Sequence, residues 1–188
     1  MAKDPYEFLR QRMTLPEAKQ DSENRQEARS AAVRWLGLGR KPSGQVRDYL
    51  HRQGFAEDNV AHVIDELKNE GKIDDFRLAR QKAKSRTGAK SESALRITQR
   101  LSAQGLDQAA IEQVLVDRPA DSELALAALQ GKFGRPKNLT SGSPEPGSAE
   151  QKNKYYRFLI SRGFSPDSVR EAVREFLKGL SNQDDYAD

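Results

Sequence analysis

The chain has 188 residues and a mass of 21.1 kDa, and its 32 Lys and Arg against 28 Asp and Glu give a net charge of +4. It contains no cysteine, which excludes a disulfide scaffold, a thiol nucleophile and a Cys-ligated zinc site. Apolar residues make up only 36% of the chain and charged residues 32%, so we expect an elongated molecule with much surface per residue.

The first residues, 1–24, are polar and carry Pro5 and Pro16, which predicts a flexible N-terminal arm. They include no apolar segment of the kind found in signal peptides, and the sequence holds no run of about 20 apolar residues. We therefore expect a cytoplasmic protein that makes no contact with a membrane.

Three segments of the chain share one spacing of apolar residues around a glycine. Aligned on Gly54, Gly105 and Gly163, each segment has an apolar residue at offsets −4, +1, +6, +9 and +10. The glycines are 51 and 58 residues apart, a period typical of repeat proteins. The sequence therefore predicts three tandem copies of one structural unit.

Each copy is predicted to contain a helix, a turn and a second helix. The three glycines stand where a residue with a left-handed backbone ends the first helix, and the later offsets give the stripe of an amphipathic helix. The expected N-cap of the second helix lies two residues after each glycine. Asp107 and Ser165 are good caps at this position, whereas Ala56 is a poor one.

A further helix is predicted before each pair, over residues 25–38, 75–86 and 122–133. The apolar residues expected to face the core from these helices are Ala28, Ala32, Val33 and Leu36, then Phe76, Leu78, Ala79 and Ala83, then Leu124, Leu126, Ala127 and Leu129. No alternating strand pattern of useful length occurs. The predicted fold is all-α, with three tandem three-helix repeats.

The predicted domain boundaries follow from these elements. Repeat 1 covers 25–73, repeat 2 covers 74–120, and repeat 3 covers 121–180. Repeat 3 includes a loop at 135–149 that is rich in Pro, Gly and Ser, and an acidic tail, 181–188, follows it.

The sequence offers little that could support catalysis. His51 and His62 are eleven residues apart and lack metal-ligand spacing, and neither a phosphate loop nor a nucleophile elbow occurs. Asp74 and Asp75 after Gly71 could form a metal pair, but a helix start with one aspartate as its cap explains them better. We predict a protein that is not an enzyme and that binds no metal or cofactor.

The basic excess of the chain lies in one region. Residues 25–104 hold 17 basic and 10 acidic side chains, and within 77–100 eight bases stand against one acid, Glu92. With no other acid nearby, these cations favour a polyanion or an acidic protein surface as partner, and an ordinary solvated face is the competing interpretation. The candidate binding residues of this basic face are Arg77, Arg80, Lys82, Lys84, Arg86, Lys90, Arg96, Arg100, Arg157 and Arg162.

Residues 66–75, which run from Glu66 and Leu67 through Gly71 to Asp74 and Asp75, are similar to the segment between a long helix and the next unit in the bacterial RecX family of RecA regulators. Residues 132–134 with 154–164 are similar to the third unit of that family. The turns at 53–55 and 104–106 match its earlier turns. Together these matches extend over about residues 28–177.

The chain also departs from the family pattern. Pro42 replaces a serine that begins the second helix of the first unit, which removes a capping box. Ser93 stands where the family commonly has a glycine, and the loop at 136–149 is longer and richer in proline than usual. These departures concern helix boundaries more than function.

The resemblance implies a curved, non-enzymatic protein that binds the RecA–DNA filament. It further implies inhibition of filament growth, ATP hydrolysis, strand exchange and repressor autocleavage, and so a role in homologous recombination and the SOS response. It supplies no matched set of binding residues, so the basic face rests on charge clustering alone. We expect a monomer. The alternative is a helical protein or repressor that binds DNA directly through 77–100, whereas a hydrolase has no supporting constellation.

Overall fold

The computed structural model describes residues 17–84, 86–134 and 148–184, with side chains described within 21–84, 86–134 and 148–179. These residues form nine α-helices and one short 3₁₀-helix, and no strand occurs among them. In chain order the helices are α1 (Glu17–Leu36), α2 (Ser43–Arg52), α3 (Glu57–Asn69), α4 (Asp75–Lys84), the 3₁₀-helix (Gly88–Lys90), α5 (Ala94–Ala103), α6 (Gln108–Val116), α7 (Asp121–Phe133), α8 (Ala149–Ile160) and α9 (Pro166–Asp184). The prediction of an all-α fold with tandem sets of three helices is confirmed.

Contacts between residues divide the chain into two compact units. The first unit extends to Asp75 and also includes the turn Gln104–Asp107, and the second holds Phe76–Ala103 and continues from Gln108. This division into two units does not test the boundaries of the three predicted repeats, which remain a prediction.

The two ends of the described chain are more helical than the sequence predicted. Helix α1 begins at Glu17 rather than at residue 25, because residues 17–24 include the good helix formers Glu, Ala, Lys and Gln and no proline. Helix α9 continues to Asp184, into the predicted tail. The rest of the predicted arm, residues 135–147 of the predicted loop at 135–149, and residues 185–188 lie outside the described residues, and α8 begins at the last residue of that predicted loop.

In the first unit, helices α1 to α3 bury apolar side chains against one another. The buried residues are Ala28, Ala31, Ala32, Leu36, Val46, Leu50, Val60, Val63, Ile64, Leu67 and Ile73. At the edge of this core, Trp35 stacks on Tyr49 with ring centroids 4.9 Å apart, and Lys41 Nζ lies 3.7 Å from the Trp35 ring centroid. Val33, which was predicted to be core, is only partly buried.

In the second unit, helices α7 to α9 build an apolar cluster. Its buried residues are Ala125, Ala128, Leu129, Tyr155, Leu159, Phe164, Val169, Ala172, Val173 and Phe176. Helix α7 is therefore rotated from the predicted register, since Leu124 and Leu126 are only partly buried. The prediction for Phe76 in α4 is wrong, because its side chain remains 47% exposed while the small Ala79 takes the buried position.

The three turn glycines adopt the backbone that the repeat pattern predicts. The φ angles of Gly54, Gly105 and Gly163 are 88°, 81° and 83°, all in the left-handed region. Ser165 caps α9 by accepting a hydrogen bond from the backbone N–H of Ser168 at 3.2 Å. Ala56 makes no side-chain capping bond at the start of α3, as expected.

The start of α2 lacks a side-chain cap, but its first backbone N–H groups donate hydrogen bonds to residues distant in sequence. Pro42 occupies the N-cap without a side-chain hydrogen bond. The Ser43 N–H donates instead to Asp75 Oδ1 at 3.0 Å, and the Gly44 N–H donates to the Gly105 carbonyl oxygen at 2.8 Å. Without a capping box, these N–H groups at the helix end would have only water as an acceptor, and the two bonds satisfy them instead.

The same device recurs at the start of α5 in the second unit. The Ala94 N–H donates to Asp121 Oδ1 at 3.0 Å, and Ser93 Oγ accepts from the Arg96 N–H at 3.0 Å. The Ser93 N–H donates to the carbonyl oxygen of Arg162 at 3.2 Å. In both units, the aspartate at the start of one three-helix set, Asp75 or Asp121, accepts a hydrogen bond from a backbone N–H at the N-terminal end of the second helix in the preceding set.

Candidate functional site

The first part of the basic face lies along α4. Arg77, Arg80 and Lys84 are exposed, and Lys82 is half-buried. This arrangement follows from the spacing of the exposed residues at i, i+3 and i+7, while Ala79 takes the buried side of the helix. Helix α4 therefore presents cations to solvent along most of its length.

The segment after α4 contributes cations of two kinds. Arg86, Lys90 and Arg96 are exposed, whereas Arg100 is held by a buried carboxylate. Glu92 is only 7% exposed, and its Oε2 lies 3.0 Å from Arg100 Nε, while its Oε1 lies 3.4 Å from Arg86 Nη1. A buried carboxylate requires such partners, so Arg100 is a structural residue.

The ion pairs of Glu92 correct one expectation. The eight bases within 77–100 were expected to stay largely without neutralising partners, but the single acid of that stretch pairs with two of them. The backbone carbonyl oxygen of Glu92 also accepts a bond from Arg118 Nη2 at 2.5 Å. The available charge of the face is therefore lower than the sequence count suggests.

The two predicted binding residues near the third turn differ from each other. Arg157 on α8 is exposed and lines a shallow surface cavity with Glu150 and Lys154. Arg162 is half-buried, and its guanidinium carbon lies 4.7 Å from the Phe158 ring centroid. The guanidinium of Arg162 thus packs on an aromatic ring, which gives this side chain a structural role.

A cavity of about 490 Å³ lies within the second unit, beside the cations of α4. Its apolar lining includes Phe76, Ile97, Val114 and Leu124. Its charged lining consists of Arg80, Lys84, Arg86, Asp117 and Arg118. Three residues of the predicted basic face therefore meet at one concave, partly apolar place, and the other seven do not line it.

Arg118 is a member of this cavity that the sequence analysis missed. It stands outside the basic run, between α6 and α7, and its Nη2 lies 3.9 Å from Asp121 Oδ1. Desolvation by burial lowers the pKa of the Arg118 guanidinium, and the carboxylates of Asp121 and Glu92 partly offset that shift. The only sequence signal was the Arg118–Asp121 spacing at a helix start.

The remaining polar candidates have structural partners. Asp75 is buried in the first turn of α4 and accepts bonds from Ser43 and Asp107, while Asp74 directly precedes the helix, at the position of a cap. His51 Nε2 lies 2.6 Å from Glu57 Oε2, and His62 Nε2 lies 3.2 Å from Glu66 Oε1. Among the residues that the structure describes, no cluster of three or more His, Cys, Asp or Glu could hold a metal ion. None of the described helices is long and apolar enough to span a bilayer.

The fold and the cationic surface together describe a helical protein built from tandem three-helix sets. Models of two RecX domains match this chain, the first three-helix domain at residues 28–67 and the third at 120–173. The chain belongs to the RecX family. The resemblance found in its sequence motifs is therefore confirmed.

Individual relatives agree with this assignment. The regulatory protein RecX of Clostridium botulinum (strain Eklund 17B / Type B) is 30% identical over 151 residues, which are 79% of this chain and 68% of the relative. The regulatory protein RecX of Prosthecochloris aestuarii is 25% identical over 84% of this chain and 97% of its own length. The crystal structure of RecX from Lactobacillus salivarius matches with a TM-score of 0.58 over 82% of this chain and 97% of that chain, and at 20% identity this match supports the fold alone.

Proposed function

We propose that this protein regulates a RecA-type recombinase by binding the RecA–DNA filament and inhibiting its growth and its ATP hydrolysis. The observation that carries the proposal is the membership in a family whose members are named regulatory proteins. The proposed role is non-enzymatic and places the protein in the cytoplasm, in homologous recombination and the SOS response.

The exposed cations of the second unit support this proposal physically. Arg80, Lys84, Lys90 and Arg96 are all exposed and lie within a short stretch of chain. A filament of protein on DNA presents both phosphates and acidic side chains, and a cationic surface would accelerate and orient association with either. Binding should therefore weaken as the salt concentration rises.

The direct test is single-strand-dependent ATP hydrolysis by the cognate RecA, titrated with this protein below one molecule per RecA protomer. We expect hydrolysis to fall well below equal stoichiometry, because a protein that blocks filament growth acts at few sites. Competition for DNA would instead require enough protein to cover the strand. Unchanged hydrolysis at every ratio would contradict the proposal.

A charge-reversal variant tests the basic face separately. Replacing Arg80, Lys84 and Arg96 with Glu should raise the concentration for half-inhibition at least about tenfold, because attraction becomes repulsion at all three positions. Arg100 is left unchanged, since its loss would strand the buried Glu92. The matched control replaces the exposed Arg34, Arg40 and Arg52 of the first unit with Glu, which changes the net charge equally. Equal loss in both variants would refute the face but not the family function.

Direct DNA binding is the second candidate function, favoured by the same exposed cations. It predicts tight binding to naked DNA with a steep loss of affinity in salt. Fluorescence anisotropy with labelled single strands and duplexes measures this directly. Dissociation constants in the range of about 10⁻⁴ to 10⁻⁶ M at physiological salt would be ordinary non-specific binding and would exclude this candidate.

A further inference from the structure

The cavity beside α4 has the size and lining of a binding site. Its volume of about 490 Å³ is within the range of roughly 300–1,000 Å³ typical of ligand pockets. Phe76 lines it while remaining 47% exposed, although the helical spacing of apolar residues in the sequence predicts this aromatic ring for the core. A large apolar side chain that is half-exposed beside a cavity indicates an interaction surface, because covering it with a ligand would remove apolar area from water.

The charges around the cavity are unbalanced. Arg80, Lys84, Arg86 and Arg118 line it, and among the described residues Asp117 is the only acid in its lining. Glu92 lies close to Arg86, but no ion pair joins Arg80 or Lys84 to a carboxylate within the described part of the chain.

Arg118 provides an additional, independent observation. Its Nη1 atom is buried and has no hydrogen-bond partner among the described residues. Buried donors are almost always satisfied in folded proteins, so the Nη1 group points to an acceptor that the described residues do not supply, whereas Nη2 bonds the carbonyl oxygen of Glu92. A carboxylate matches the planar fork of a guanidinium well.

We propose that this cavity binds an acidic segment of a protein partner, with one apolar side chain of the segment against Phe76 and its carboxylates on Arg80, Lys84 and Arg118. This inference goes beyond the proposed function, since it holds whichever protein carries the segment. The mixed lining favours a peptide over nucleic acid. A phosphate group would make no favourable contact with the apolar wall of Phe76, Val114 and Leu124. Bases of a single strand stack on successive aromatic rings, and the described lining of this cavity contains one such ring.

The test measures binding of short fluorescein-labelled peptides to the full chain by anisotropy. The first peptide carries aspartates around one leucine, the second replaces the leucine with glycine, and the third replaces the aspartates with asparagine. We expect the first to bind at least about tenfold more tightly than either of the others. Equal affinity of all three would overturn the proposal.

Paired variants locate the site. Phe76→Ala should weaken binding of the first peptide about fivefold or more, whereas Leu95→Ala, which removes an exposed apolar side chain that does not line the cavity, should leave it unchanged. Arg80→Glu should weaken binding at least about tenfold, and Arg77→Glu on the same helix but outside the lining should have a much smaller effect. Should Phe76→Ala fail to fold by circular dichroism, Ala83→Leu would obstruct the cavity from the same helix.

Two further outcomes decide the nature of the ligand. A single-stranded oligonucleotide that displaces the peptide equally well from the wild type and from Phe76→Ala would mean a general polyanion surface, and would overturn the proposal. The proposal is supported if Phe76→Ala weakens the binding of the peptide but leaves the binding of the oligonucleotide unchanged. The assay contains no recombinase, so its failure is distinguishable from a failure of the RecA proposal.

Discussion

Replacing Gly105 with valine should destabilise the first compact unit by at least about 2 kcal/mol, because a β-branched residue would have to adopt a φ of 81°. The added Cβ would also meet backbone, since it would lie 3.1 Å from the nitrogen of Gln45 and 3.3 Å from the carbonyl carbon of Gly44. These neighbours belong to the start of α2 and have no flexible side-chain end that could move aside. Urea unfolding followed by circular dichroism measures the loss.

Gly54→Val is the matched control for this prediction. Gly54 has a similar φ of 88°, but a Cβ added there would meet no atom within 4 Å. Both variants carry the backbone strain, so the difference between them isolates the close approach of the two backbones at Gly44 and Gly105. Equal destabilisation by the two variants would mean that this close approach contributes nothing.

Replacing Asp75 with alanine should cost about 3 kcal/mol or more, because it strands several donors at once and each buried unsatisfied group costs about 1–3 kcal/mol. Asp75 is 3% exposed, and its carboxylate accepts the Ser43 N–H at 3.0 Å, the Asp107 N–H at 3.0 Å and the hydroxyl of Ser43. The free energy of unfolding in urea gives the effect.

Two comparisons define what this loss means. Asp75→Asn keeps one acceptor oxygen and should fall between the wild type and Asp75→Ala. Asp121→Ala removes the equivalent carboxylate in the second unit, where it accepts the Ala94 N–H, and it should cost less because Asp121 is only half-buried. A loss at Asp75 no larger than at Asp121 would contradict the assigned role.

The turns of this fold were predictable from sequence because their causes are local. A glycine that ends a helix and an apolar stripe at fixed offsets both act within a few residues, and Gly54, Gly105 and Gly163 have the expected positive φ. The lost cap at Pro42 was equally visible, since capping depends on one side chain and the next turn of helix.

The errors of the sequence analysis arise where distant residues decide the outcome. The sequence predicts a helix start at Asp74 and Asp75, but it gives no sign that the Asp75 carboxylate accepts a hydrogen bond from the first turn of the distant α2. Glu92 was counted as one acid among eight bases, and burial turns it into the partner of Arg86 and Arg100. Phe76 occupies an apolar position in the helical pattern, yet no described side chain covers it fully. Periodicity gives the face of a helix and not what lies opposite that face.

The cavity shows the same limit for the candidate site. Charge clustering identified Arg80, Lys84 and Arg86, which the structure places together, but it also included Arg100 and Arg162, which are largely engaged in packing or pairing. Arg118 joins the cavity from a position outside the basic run. Only the folded second unit brings these residues to one place.

The discontinuity of the first compact unit has a consequence for biosynthesis. That unit includes the turn Gln104–Asp107, whose Gly105 carbonyl and Asp107 N–H take part in hydrogen bonds with Gly44 and Asp75. A nascent chain that ends before this turn lacks both partners, so the N–H of Gly44 at the start of α2 and the carboxylate of Asp75 cannot complete their hydrogen bonds while α4 and α5 are still being translated. The first compact unit therefore completes its hydrogen bonding only after more than half of the polypeptide has left the ribosome.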